Sequence, residues 1–127
     1  MTTVAQAMRP RLPSCTLRTA VMEVARKMQE DGVAHVVVAS AGSDLIAGSI
    51  SELDLLRAVI DGKTEAMASD VMTLAAPATI AAQEPLALAV KRMRDEGIAF
   101  YVVVDGAPAR PVGLLSHIEL ADYLARG

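Results

Sequence analysis

An α/β (α+β) fold of two tandem β-α-β-β-α repeats, packed with pseudo-two-fold symmetry, is predicted by three observations. Two stretches of the chain match at a constant offset of 65 residues. Each contains a helical apolar spacing closed by glycine. Each then continues into short β-branched runs. The match is plain when Met28–Val38 (MQEDGVAHVVV) is written above Met93–Val103 (MRDEGIAFYVV). Met28/Met93, Gly32/Gly97, Ala34/Ala99, Val37/Val102 and Val38/Val103 are identical. The same offset pairs Gly48 with Gly113, Ser51 with Ser116 and Leu55 with Leu120. One offset shared by two separated blocks marks a tandem duplication.

The elements follow in order. Val21, Val24, Ala25 and Met28 fall at i, i+3, i+4 and i+7, and Leu86, Ala89, Val90 and Met93 repeat that spacing. Both predict a helix with one apolar face, ended by Gly32 or Gly97. Pro85 stands where a first-turn proline belongs. Val33–Ala39 and Ile98–Val104 read as buried strands. Turn residues follow at 40–44 and at Asp105-Gly106, then second strands at Ile46–Ile50 and Val112–Leu115. Amphipathic helices close each half over Glu52–Ile60 and His117–Ala125. Short extended pieces precede each first helix, around Ser14–Leu17 and Thr79–Ala81, and a methionine-bearing lead-in (Val4–Met8, Val71–Met72) precedes those. Residues 1–127 therefore read as a single module, with repeat one at about 4–60, a polar linker at about 61–66 and repeat two at about 67–125. Half of such a pair buries too little surface to stand alone.

Composition narrows the function. The 127 residues are 53% hydrophobic and 21% charged, enough to build a core, but only 2% aromatic. Stacking platforms for single-stranded nucleic acid are scarce. The net charge of −3 and pI ≈ 5.3 have the wrong sign for holding nucleic acid or an anionic membrane surface. A mean hydropathy of +0.38 raises the question of a spanning helix. The longest uncharged stretch, Val71–Gln83, contains Pro77 and falls short of the roughly 20 apolar residues required. No secretory h-region opens the chain, and Cys15 is its one cysteine, so a cytoplasmic location is expected.

Two short motifs carry the chemistry: Gly48-Ser49-Ile50-Ser51-Glu52-Leu53-Asp54 and Gly113-Leu114-Leu115-Ser116-His117-Ile118-Glu119. With the lead-ins Val4–Met8 and Ser69–Thr73 (SDVMT) and the M-x-x-x-G helix ends, they make the chain resemble the cystathionine-β-synthase (CBS) domain pair, or Bateman module. The resemblance runs from about Val4 to Leu124. It implies a non-catalytic regulatory module that binds an adenosine-containing metabolite (AMP, ADP, ATP or S-adenosylmethionine) in clefts between the repeats. It further implies a flat homodimer that signals to a separate partner protein, with no cofactor required. The ligand-binding residues carried over are Gly48, Ser51, Asp54 and His35 from one repeat, and Gly113, Ser116, Glu119 and Phe100 from the other.

This chain departs from the family pattern at named positions. Val37 and Val102 replace the usual proline, Glu119 replaces Asp, and Leu53 and Ile118 stand where phosphate-holding members often carry a basic residue. Arg57 on the following turn and Arg9 and Arg11 in the lead-in are the nearby cations.

Each of these residues also has a structural use. Ser at an N-cap with an acid three residues later forms a capping box. The same open helix start offers amide donors to an anion, and its carboxylate can accept both hydrogens of a ribose diol. If both motifs serve only as caps, the module is an empty structural unit for protein association. His35 and Phe100 read either as fillers of a cleft edge or as neighbours of the purine, with Phe100 and Tyr101 together closing one cleft. Cys15 reads as a buried hydrophobe, because no base accompanies it. His35 and His117 lack the spacing of a zinc site, so no metal is expected. Met28 and Met93 are core residues. Lys91-Arg92-x-Arg94 is a solvated helix face. No catalytic constellation is present, and an enzyme is not expected.

Overall fold

The computed structural model describes residues 1–40, 42–43 and 45–127. The turn expected at 40–44 therefore lies partly outside the described residues, at Ala41 and Asp44. The chain divides into two compact units. One is Pro13–Ala76; the other combines Met1–Leu12 with Pro77–Gly127. The first is called unit A below and the second unit B.

Unit A contains β2 (Ser14–Thr16), α2 (Val21–Asp31), β3 (His35–Ala39), β4 (Ile46–Ser51), α3 (Glu52–Ile60) and the single turn α4 (Ala68–Val71). Its sheet has the order β2-β3-β4, with β2 parallel and β4 antiparallel to β3. Unit B begins with the single turn α1 (Val4–Ala7) and β1 (Arg9–Pro10). It resumes with β5 (Thr79–Ala81), α5 (Leu86–Glu96), β6 (Phe100–Asp105), β7 (Arg110–Ser116) and α6 (His117–Ala125). Its sheet has the order β1-β7-β6-β5. The β-α-β-β-α order appears twice, as the repeat predicts, and the closing helices α3 and α6 have the expected bounds.

The first helices form for the reasons their spacing implies. Val21, Val24 and Met28 are buried along α2, and Leu86, Ala89 and Met93 face the core from α5. Val90 departs from the expected face and lies at the rim, 40% exposed. Both helices end on a left-handed glycine, Gly32 (φ 65°) and Gly97 (φ 67°), whose amides bond the carbonyls of Met28 and Met93. Pro85 caps α5 one position ahead of its first turn, where its fixed φ of −60° still leads into the helix. Val36, Val38 and Ile50 form one buried face of the unit A sheet and Tyr101, Val103 and Leu115 the core face of unit B, while Val37, Val102 and Leu114 are buried on the opposite faces.

The lead-ins are the unexpected part. The N-terminal segment belongs to repeat one in sequence but packs in the unit built from repeat two. There β1 pairs with β7, Arg9 opposite Leu114 and Pro10 opposite Gly113. The second lead-in packs in unit A, where Thr73 exchanges both backbone hydrogen bonds with Ser49, at 2.8 and 3.1 Å. Each approach demands a glycine on the receiving strand. A Cβ at Gly48 would collide with the Thr73 carbonyl oxygen and press on Met72 Sδ; one at Gly113 would collide with the Arg9 carbonyl and press on Met8 Sδ.

Because the obstructing atoms are backbone, neither site relaxes cheaply. Gly113→Ala and Gly48→Ala are each expected to destabilise their unit by about 1–3 kcal/mol, the cost of overpacking a closed site. Urea unfolding midpoints measure this, and an unchanged midpoint would show that the lead-in is not seated on the glycine.

Candidate functional site

Each motif lies where a strand runs into a helix, and sheet register decides which side chains accompany it. Residues directly opposite one another, or two apart on one strand, project from the same face. In unit A His35 is opposite Ser51 and Val37 opposite Ser49, and Thr73 bridges Ser49 from the other side. His35, Ser49, Ser51 and Thr73 therefore share a face. In unit B Phe100 is opposite Ser116, while Val102 and Arg9 flank Leu114. Phe100, Leu114, Ser116 and Arg9 share the corresponding face. Tyr101 does not join Phe100 there. Strand alternation turns it to the opposite side, where it is buried against Val4, Ala7 and Ala89. The expectation that Phe100 and Tyr101 close a cleft together is corrected by that alternation.

Ser51 caps α3 in extended backbone, and the capping box closes in both directions. Asp54 Oδ2 accepts from Ser51 N at 2.9 Å and from Ser51 Oγ at 3.1 Å, while Ser51 Oγ accepts from Asp54 N at 3.3 Å. The other oxygen, Oδ1, accepts from Thr73 Oγ1 at 2.9 Å and lies 3.7 Å from Arg57. Asp54 is buried, and a buried carboxylate must be compensated in this way. Thr73 was not singled out from the sequence. Its signal is its place immediately after the lead-in methionine, in the SDVMT segment.

Ser116 and Glu119, both buried, repeat the box at α6. Glu119 Oε1 accepts from Ser116 N at 2.8 Å and Ser116 Oγ at 2.6 Å, and Ser116 Oγ accepts from Ile118 N at 3.3 Å. Among the described residues no hydrogen bond reaches Oε2. The two motifs share a fold but differ in saturation: Asp54 uses both oxygens, Glu119 one. Gly48 and Gly113 bring the lead-in backbone beside each motif, a role in packing that the structure makes explicit.

The remaining candidates take ordinary places. His117 is exposed in the first turn of α6. Cys15 is half-buried on β2, and burial pushes its thiol up, opposed by Lys27. Among the described residues no group of three or more His, Cys, Asp or Glu gathers as a metal site, and no helix is long and apolar enough to cross a membrane.

Comparison with known proteins agrees with this architecture. The family model of the CBS domain matches twice, over residues 4–61 and 68–126. Among solved structures, the chain resembles the CBS domain protein PAE2072 from Pyrobaculum aerophilum complexed with AMP. The two are 23% identical, with a TM-score of 0.78 over 98% of this chain and 97% of that one. It also resembles the CBS domain pair of protein MJ0100 in complex with 5′-methylthioadenosine and S-adenosyl-L-methionine (20% identity, TM-score 0.79, 97% and 99% covered). A third is a putative signal-transduction protein with CBS domains from Burkholderia ambifaria (22% identity, TM-score 0.77, 97% and 93% covered). The search of curated proteins found no match. With two family-model matches spanning nearly all of its length, and each motif set at the strand–helix junction of its own β-α-β-β-α unit, this chain belongs to the CBS domain family.

Proposed function

We propose that this chain is a non-catalytic regulatory module that binds an adenosine-containing metabolite at the Ser51–Asp54 and Ser116–Glu119 motifs and acts on a separate protein. The observation that supports it most directly is a buried carboxylate at a helix start, present twice, beside a strand face carrying His35 or Phe100. A carboxylate in that position can accept both hydrogens of a ribose diol. His35 and Phe100 flank the serines where a purine would lie. Gly48 and Gly113 belong to the site by holding the lead-ins against it. Proteins of the same fold are described in complex with AMP, S-adenosyl-L-methionine and 5′-methylthioadenosine, which supports the ligand class.

At Asp54 a ligand must take over a bond that already exists. A ribose hydroxyl replaces the Thr73 hydroxyl on Oδ1, an exchange of like for like with little net gain. Saturation of Asp54 also favours a second reading, in which both motifs serve as caps in a module for protein association. The two readings separate by mutation. Asp54→Asn keeps one oxygen for the Ser51 amide and loses the diol-accepting carboxylate. Under the ligand reading, titration calorimetry with adenosine loses the unit A site while the melting temperature moves little. Asp54→Ala removes the whole network and costs about 1–3 kcal/mol. Undiminished adenosine affinity in Asp54→Asn would leave only the cap.

Ligand charge gives a further expectation. Leu53 and Ile118 precede the two acids, Glu52 adds a negative charge beside Ser51, and one arginine stands beside each motif, Arg57 at the first and Arg9 at the second. A triphosphate carries about four negative charges that this arrangement meets poorly. Affinity in EDTA is expected to fall from adenosine or AMP through ADP to ATP, with S-adenosylmethionine as good as the first pair. ATP binding tightest would contradict it.

The assembly proposed is a homodimer. Leu53, Leu56, Val59 and Ile60 project outward from α3, 53–81% exposed, and Leu124 on α6 is 75% exposed. Leu55 and Leu120 are half-buried, with Leu120 packed against the unit B core. A continuous helical stripe of this kind marks an interaction surface. Light scattering at micromolar concentration is expected to give a dimer, and Leu56→Glu with Ile60→Glu a monomer. A concentration-independent monomer in the unaltered protein would rule the interface out.

A further inference from the structure

The lead-ins bring different side chains to two otherwise matching motifs. Thr73 pairs with Ser49, and Arg9 pairs with Leu114, the residue 65 positions after Ser49. Both follow a lead-in methionine, Met72 or Met8, and both put their carbonyl over the motif glycine. Arg9 therefore holds in unit B the place that Thr73 holds in unit A. Thr73 donates its hydroxyl to Asp54 Oδ1 and completes that carboxylate. Arg9 offers five N–H donors instead.

Register fixes where Arg9 reaches. It stands diagonal to Ser116 on the same sheet face, a separation of roughly 7–8 Å that a long side chain spans. It is half-buried, and among the described residues it enters no ion pair and no side-chain hydrogen bond. The other arginine beside a motif, Arg57, is 3.7 Å from Asp54 itself. Its counterpart on α6 is Asp122, so Arg9 is the uncommitted cation at the Ser116–Glu119 motif.

We propose that Arg9 is the residue that reads phosphate: a nucleoside monophosphate is taken at Ser116–Glu119, its phosphate on the Arg9 guanidinium and its ribose on Glu119 Oε2. The inference rests on the adenosine reading above and adds an assignment of ligand charge to one motif. A planar guanidinium suits a phosphate because two parallel N–H groups meet two oxygens.

The test is titration calorimetry of the unaltered protein, Arg9→Thr, Arg9→Lys and Arg57→Ala, each with adenosine and with AMP in EDTA. Arg9→Thr installs the residue that unit A carries at the same place, so the lead-in retains a side chain that this setting accommodates. The affinity for AMP relative to that for adenosine is expected to fall by about ten- to a hundredfold in Arg9→Thr. It should fall less in Arg9→Lys, which keeps the charge without the fork, and persist in Arg57→Ala. AMP binding with its preference intact in Arg9→Thr overturns the inference and leaves the adenosine reading standing. Transfer of the loss to Arg57→Ala does the same. Binding of neither compound by the unaltered protein overturns both.

Discussion

The architecture turns on a backbone-to-backbone approach that only glycine permits. At Gly48 and at Gly113 a carbonyl oxygen of the lead-in occupies the volume that a Cβ would fill. That approach draws Thr73 into hydrogen bonding with Ser49 and Arg9 into pairing with Leu114. It also seats a methionine sulfur against each strand. The serine–acid pairs follow within one turn of chain, so whatever the lead-in carries is delivered to the helix start. Backbone packing and the polar surroundings of the two acids are joined at these two glycines.

The capping boxes belong to the same logic. A carboxylate drawn into a buried position must be surrounded by donors, and its own helix supplies the first of them. Ser51 and Ser116 each provide an amide and a hydroxyl. What remains depends on the residue after the lead-in methionine. Threonine completes the shell of Asp54. Arginine leaves that of Glu119 open on one oxygen. One repeat, duplicated, has in this way acquired two distinct polar environments without altering its fold.

Most of the fold was legible because its signals are local. Helical spacing with a glycine stop located α2 and α5, and the serine–acid pairs located the starts of α3 and α6. Strand bounds moved by at most two residues, since β-branched runs such as Val33–Ala39 begin before the first ladder pair, His35 with Ser51. The pairing of lead-ins was not legible. Met8 and Met72 face equivalent glycines, Gly113 and Gly48, and nothing in the neighbouring residues distinguishes the two receiving strands. The Thr73–Asp54 bond was hidden for the same reason, as it joins residues 19 apart through a contact that exists only once the lead-in has docked. Tyr101 was misplaced for a simpler reason. Adjacent strand residues face opposite ways, and the phase of that alternation is set by the partner strand.

The composition of the two units has a kinetic side. Unit A, Pro13–Ala76, is continuous chain, so its own pairings close over short spans. Unit B draws β1 from one end of the sequence and its other strands from the far side of unit A, so joining Arg9 to Leu114 closes a loop that contains all of unit A. Loop closure costs more entropy as the span grows, and compacting the intervening chain shortens that span. Compaction of unit A therefore lowers the entropy cost of completing unit B. During translation the N-terminal segment must wait, unpaired, for a strand that is made only after all of unit A.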